Sequence, residues 1–187
     1  IPSRLVFALL LSAAISAESS SDGAATTDHN LALRNSSSPY LQQHADNPVA
    51  WLPYSPDIIS NIQSQQKLVF LSIGYSTCHW CHVMEEETFE DQEVADYMNA
   101  HFVSMKVDRE EHPDIDQLYM TATQMMTGSG GWPLNVVCLP DGRPVYGGTY
   151  HTKTQWLEVL GKIQKLYTND KSQLEDFAQR DAMGIKK

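Results

Sequence analysis

The chain has 187 residues, is 42% hydrophobic and carries a formal net charge of -10. That length and apolar content suffice for one domain with a sizeable core. The acidic balance speaks against nucleic acid or anionic lipid as a partner, since both are held through Lys/Arg surfaces. Three cysteines, Cys78, Cys81 and Cys138, are too few for a small disulfide-stapled scaffold.

Residues 1–17 have a signal-like layout. Arg4 is a minimal basic region, Leu5 to Ile15 is an apolar run, and Ala14, Ser16 and Ala17 are small residues suited to cleavage. The run is too short to span a bilayer. This start and the sequon Asn35-Ser36-Ser37 lead us to expect a secretory or extracellular route, with a cytoplasmic or organellar one as the alternative. Residues 18–33 are rich in Ser, Ala, Thr, Asp and Gly with no apolar period, and read as a disordered linker. The folded domain is expected over 34–175, with a loose tail over 176–187.

Pro39 to Tyr54 carries Tyr40, Leu41, Trp51 and Tyr54 among three prolines and reads as irregular backbone packed on a core. Ser55-Pro56-Asp57 has the chemistry of a helix start, and Ile58, Ile59 and Ile62 give that helix an apolar face. Leu68 to Ile73 is nearly all apolar, which suits a short strand covered on both faces. Gly74 to Thr77 turns into the cysteine pair. From Cys81 to Phe102 there is no Pro or Gly, and Asp91 is a natural N-cap, so two short helices or one kinked helix are expected. Phe102 to Val107 is a second strand. A helix follows Pro113, with Ile115, Leu118, Tyr119, Ala122, Met125 and Met126 on one face, stopped by Gly128. Leu134 to Leu139 and Pro144 to Gly148 are strands joined by the turn Pro140-Asp141-Gly142-Arg143. A last helix, capped by Thr154, presents Trp156, Leu157, Leu160, Ile163 and Tyr167. A β-α-β unit favours parallel pairing, and the final two strands an antiparallel hairpin. That order is the order of the α/β thioredoxin fold, a central mixed sheet flanked by helices.

Cys78-His79-Trp80-Cys81-His82 lies between a buried strand and a helix. A helix N-terminus offers unpaired N–H groups and the positive end of the dipole, both of which favour a thiolate. Cys78 is then the attacking thiol, and Cys81, one turn inward, resolves the mixed disulfide. Gly130-Gly131-Trp132-Pro133 directly precedes a hairpin strand, where thioredoxin folds place a cis-proline facing the cysteines. Trp132 and Pro133 are expected to wall a substrate groove, with Trp80 beside it. Thioredoxins carry a buried Asp in the first strand that helps deprotonate the second cysteine; the matching place, six residues before Cys78, holds Ser72. His79, His82, Asp108 or water are the candidates for that proton transfer. The expected partners are protein or small-molecule thiols and disulfides.

Three rivals remain for the same string. Cys-x-x-Cys-His is also the attachment pattern of c-type haem. Two cysteines with His82 could ligate zinc, but a structural zinc site takes four ligands and no second cysteine pair exists. No metal or cofactor is therefore expected. The third rival is a redox-silent interaction module using Tyr40 to Tyr54 and Trp132 as a docking surface. Cys138, in a core strand, reads as a buried inert thiol.

Ser38-Pro39-Tyr40-Leu41, His44, Asn47-Pro48-Val49 with Trp51, the run Phe70 to His82, Lys106 to Glu111, and Gly130 to Asn135 together resemble the thioredoxin-like N-terminal domain of the spermatogenesis-associated protein 20 family. The resemblance spans roughly residues 34 to 152. It implies a thioredoxin-like fold with Cys78 and Cys81 as the redox pair. It also implies a longer protein, because members continue into a helical-barrel domain similar to sugar-processing α/α barrels.

Overall fold

The computed structural model describes residues 29–185, with side chains described to residue 180. The signal-like segment and most of the expected linker lie outside the described residues. Five strands form one sheet: β1 (Trp51–Pro53), β2 (Leu68–Gly74), β3 (Phe102–Asp108), β4 (Leu134–Cys138) and β5 (Pro144–Gly148), in the spatial order β1-β3-β2-β4-β5. β1, β3 and β2 run parallel, while β4 is antiparallel to β2 and β5 to β4. This is the thioredoxin topology expected from the element order.

β2 is buried at every residue because both faces of the sheet are covered. Its side chains alternate between two cores. Leu68 and Phe70 join an aromatic cluster with Trp51, Phe89 and Trp156, while Val69, Leu71 and Ile73 pack with Met105, Val107, Tyr119 and Val136. In the first cluster Phe70 and Trp156 lie 4.9 Å apart between ring centroids, and Trp51 meets Phe89 edge-on at 5.2 Å. Such pairs add about 0.5–1.5 kcal/mol beyond burial.

The helices are α1 (Leu31–Arg34), α2 (Pro39–Gln43), α3 (Pro56–Ile62), α4 (His79–Met84), α5 (Gln92–His101), α6 (Pro113–Thr127), α7 (Lys153–Asn169) and α8 (Lys171–Ile185). Between α4 and α5 lies a π-helical turn, Glu85–Phe89. It produces the kink expected before Asp91, whose carboxylate caps α5 by accepting from the Glu93 and Val94 N–H groups.

Several expectations are corrected. The linker does not reach residue 33. Buried Asn30 donates from Nδ2 to the Asn47 and Val49 carbonyls and accepts from the Trp51 N–H, so it anchors the β1 edge. The segment from Pro39 to Tyr54 is not wholly irregular: it forms α2 and β1. Tyr40 and Trp51 lie in the core and offer no docking surface. α7, expected as the last helix, begins two residues early. Thr152, not Thr154, caps it in a reciprocal box with Gln155. The tail expected from residue 176 is the second half of α8, with Ala178 fully buried. On α6 the buried residues are Asp116, Tyr119, Met120, Ala122 and Thr123, whereas Leu118 and Met125 face outward.

Candidate functional site

The site grows from the C-terminal end of β2. Gly74 ends the strand, and a cross-bridge from the Arg109 N–H to the Gly74 carbonyl ties it to the end of β3. A side chain at Gly74 is excluded: a Cβ would stand 2.6 Å from Tyr40 Oη and 2.7 Å from Cys81 Sγ. Tyr75 to Thr77 turn the chain, and Cys78 becomes the N-cap of α4, its Sγ accepting from the Cys81 N–H at 3.3 Å. The two sulfurs lie at bonding distance, 2.15 Å, with Cα atoms 5.3 Å apart. Cys138 is fully buried, and burial pushes its thiol far above the usual range, which suits an inert thiol.

Pro133 follows a cis peptide bond from Trp132. Because Ile73 pairs with Leu134, Pro133 falls beside Gly74, at the root of the cysteine loop. The Trp132 indole is held on two sides: Nε1–H donates to Asp116 Oδ1 at 2.8 Å, and the Arg109 guanidinium lies 3.9 Å from its ring while pairing with Asp116 Oδ2 at 3.2 Å. Trp80 is 53% exposed and packs against Tyr150 at 5.2 Å, and the Tyr150 hydroxyl donates to Glu87. Trp80, Gly130, Gly131, Trp132, Thr149 and Tyr150 line a cleft of about 300 Å³. Of the residues expected to wall a groove, Trp80 and Trp132 line this cleft and Pro133 does not, while Tyr150 is a wall that sequence reasoning missed.

The three proton-transfer candidates have separate placements. His79 is exposed, with its ring 5.4 Å from Trp80. His82 Nε2 lies 2.8 Å from the Ser76 carbonyl oxygen, which can only accept, so this nitrogen carries the proton. Asp108 is buried with both oxygens occupied: Oδ2 accepts from Ser38 Oγ at 2.6 Å and Oδ1 from the Glu110 N–H. Among the described residues no three His, Cys, Asp or Glu side chains converge as metal ligands.

Beneath the cysteine loop lies a polar row that the sequence reading passed over. Lys106, Ser72 and Asn135 stand at the same level on β3, β2 and β4, on the face that carries Phe70. Lys106 is buried and donates from Nζ to Ser72 Oγ at 3.0 Å. Its Nζ lies 4.5 Å from the Trp51 ring and 4.7 Å from the Phe89 ring. Burial lowers its pKa to about 7, against the opposing pull of the Glu85 carboxylate. The π turn aims Glu85 inward, where Oε1 lies 3.0 Å from His44 Nδ1 and Oε2 4.0 Å from His82 Nδ1. Burial works to raise the Glu85 pKa, but His44, Lys106 and His82 outweigh it and hold the carboxyl below its ordinary range. Burial, reinforced by Lys106, pushes His44 down to about 4 despite Glu85. The signal in the sequence is a lone polar residue in each of two apolar runs, Ser72 in LVFLSIG and Asn135 in LNVVC, whereas Lys106 shares FVSMKVD with Ser104 and Asp108.

A family model described as "Protein of unknown function, DUF255", named Thioredox_DsbH, matches residues 30–185. The chain is 43% identical to the uncharacterized protein B0495.5 of Caenorhabditis elegans over 164 residues, covering 86% of this chain and 22% of that protein. It is 44% identical to human spermatogenesis-associated protein 20 over 154 residues, covering 79% of this chain and 20% of the relative. The chain therefore spans about a fifth of the length of these curated relatives. Among solved structures, one titled DsbH oxidoreductase aligns at 16% identity with a TM-score of 0.49, covering 63% of this chain and 85% of that one. A match over nearly the whole described chain, on a thioredoxin topology, makes this protein a thioredoxin-like member of the Thioredox_DsbH family.

Proposed function

We propose that the domain catalyses thiol–disulfide exchange, with Cys78 as the attacking thiol and Cys81 as the resolving one. The observation that carries this reading is the Cys78–Cys81 pair at the end of the central strand, beside cis-Pro133, with Trp80 of the same loop and Trp132 lining a neighbouring aromatic cleft. The Cys78 thiolate attacks a substrate disulfide, forms a mixed disulfide and releases one substrate thiolate. Cys81 then attacks Cys78 Sγ, closing the internal disulfide and releasing the second. The cleft between Trp80 and Trp132 suits an extended peptide carrying an apolar side chain next to its cysteine. Disulfide reduction in a peptide substrate, with a dithiol as electron source, is the test. Cys78→Ser is expected to abolish turnover, and undiminished turnover in that variant overturns the reading.

One observation favours a second reading, a binding module without turnover: both cysteines are only 3% exposed. In that case the Trp80–Trp132–Tyr150 cleft is the docking surface, and a peptide captured by the intact domain stays bound when Cys78 and Cys81 are both replaced by Ser.

A further inference from the structure

Resolution of the mixed disulfide requires Cys81 to lose its proton in a site closed to bulk water. The groups around it differ in their capacity to take that proton. His79 is turned outward, His82 faces the Ser76 carbonyl with Nε2 and Glu85 with Nδ1, and both oxygens of Asp108 hold backbone or hydroxyl donors. Glu85 stays ionised as the counter-charge of this pocket, and His44 stays neutral at neutral pH. Tyr40 is pushed upward by burial, so its hydroxyl is no final acceptor and can only pass its proton on as it receives another.

Lys106 remains. It is buried among Tyr40 from α2, Trp51 from β1, Ser72 from β2 and Phe89 from the π turn, with Glu85 and, at the C-cap of α2, His44 near enough for their charges to couple to it. Its one hydrogen bond among the described residues runs to Ser72 Oγ. The buried Tyr40 hydroxyl lies near Ser72 but closes no hydrogen bond among the described residues, and it stands with Cys81 Sγ over Gly74, each less than 3 Å from the point a Cβ there would occupy. The Tyr40 and Ser72 hydroxyls thus stand between the sulfur and the amine, with the Lys106–Ser72 bond already made.

We propose that Lys106 acts as the proton acceptor and donor for Cys81, through the Tyr40 and Ser72 hydroxyls, taking over the task of the acid that Ser72 replaces. Lys106 is a positioning residue in the sense that it acts through Ser72 and never touches substrate. The inference rests on the exchange reaction proposed above. In the resolving step the Cys81 S–H bond breaks, its proton passes along the hydroxyls, and neutral Lys106 becomes ammonium. The Cys81 sulfur attacks Cys78 Sγ, and the substrate leaves as thiolate. In the reverse direction the ammonium returns the proton to Cys81 as the internal disulfide opens. A pKa near 7 leaves both forms of Lys106 populated at neutral pH.

The test separates the two cysteine steps. Reduced protein is mixed with one equivalent of dithiobis-nitrobenzoate. Attack by Cys78 releases the first nitrothiobenzoate, and attack by Cys81 on the mixed disulfide releases the second. The second phase is followed across pH for the wild type, Lys106→Met and Ser72→Ala. In the wild type it should rise through pH about 7. In Lys106→Met it should slow by roughly tenfold to hundredfold at neutral pH, with its rise moved toward the ordinary thiol range near ~8.5, while the first phase keeps its rate. Met fills the volume without a charge, a replacement that buried ion sites commonly tolerate. Ser72→Ala keeps the lysine but cuts the path and should slow the second phase in the same direction; it carries the test if the Met variant does not fold. A second phase with unaltered rate and pH profile in the folded variants overturns the role of Lys106. Absence of the first phase in the wild type overturns the exchange reaction itself.

Discussion

His44 shows how one buried side chain can make the protein acid-sensitive. It sits 3.0 Å from Glu85, edge-on to Tyr40, and is held neutral with a pKa of about 4. In the unfolded chain an imidazole titrates near 6.5. Between those values the unfolded state binds a proton that the folded state does not, so stability rises with pH across that window and is lost as pH falls from 6.5 toward 4. One proton accounts for a slope of at most about 1.4 kcal/mol per pH unit. His151, also lowered by burial, adds to the same window. Glu85, with a lowered pKa, adds its own loss only below the carboxylate range. Urea unfolding at a series of pH values should therefore show stability falling from pH 6.5, and His44→Gln should flatten that fall without removing it. An unchanged slope in the variant would mean that His44 is not buried neutral.

The elements divide into those that carry the chemistry and those that hold it in place. α2 is only five residues long, yet it supplies Tyr40 and, at its C-cap, His44. Its stability comes from Ser38, whose Oγ accepts from the Leu41 N–H and donates to Asp108 at the end of β3. Ser38→Ala removes the cap and leaves a buried carboxylate short of a donor. We expect a loss of about 1–2 kcal/mol, read as a lower urea midpoint with an unaltered slope. No change in midpoint would show that α2 is fixed by packing alone. This element was not legible in the sequence, because five residues carry too little periodicity and three prolines suggested irregular backbone. Strands β2, β3, β4 and β5 were legible because their apolar runs are bounded by turn residues. The face of α6 was misjudged because Met125 and Leu118 look like core residues, while Asp116 is buried to hold Trp132 and Arg109. At the site, the cysteines and the Trp132-Pro133 pair announce themselves by local spacing. Lys106, Ser72 and Asn135 are far apart in the chain, and only the strand register brings them level.

At the scale of the whole molecule, two apolar cores clamp a sheet whose central strand delivers the cysteine loop to one end. The same end gathers the cis-proline, the aromatic cleft and the floor of buried polar groups, so access, shape and proton handling converge on one pair of sulfurs. Among the described residues no helix is long and apolar enough to cross a membrane. The relatives are about four times as long as this chain. The domain's own claim is that Cys78 and Cys81 cycle between dithiol and disulfide. The direct measurement is a redox titration against glutathione, with thiol trapping and mass spectrometry to identify the labelled cysteines. A reversible two-electron couple is expected, with about 30 mV for each tenfold change in ratio, in which Cys78 and Cys81 gain and lose label together and Cys138 takes no part. No reversible couple, or a couple that recruits Cys138, would contradict the claim.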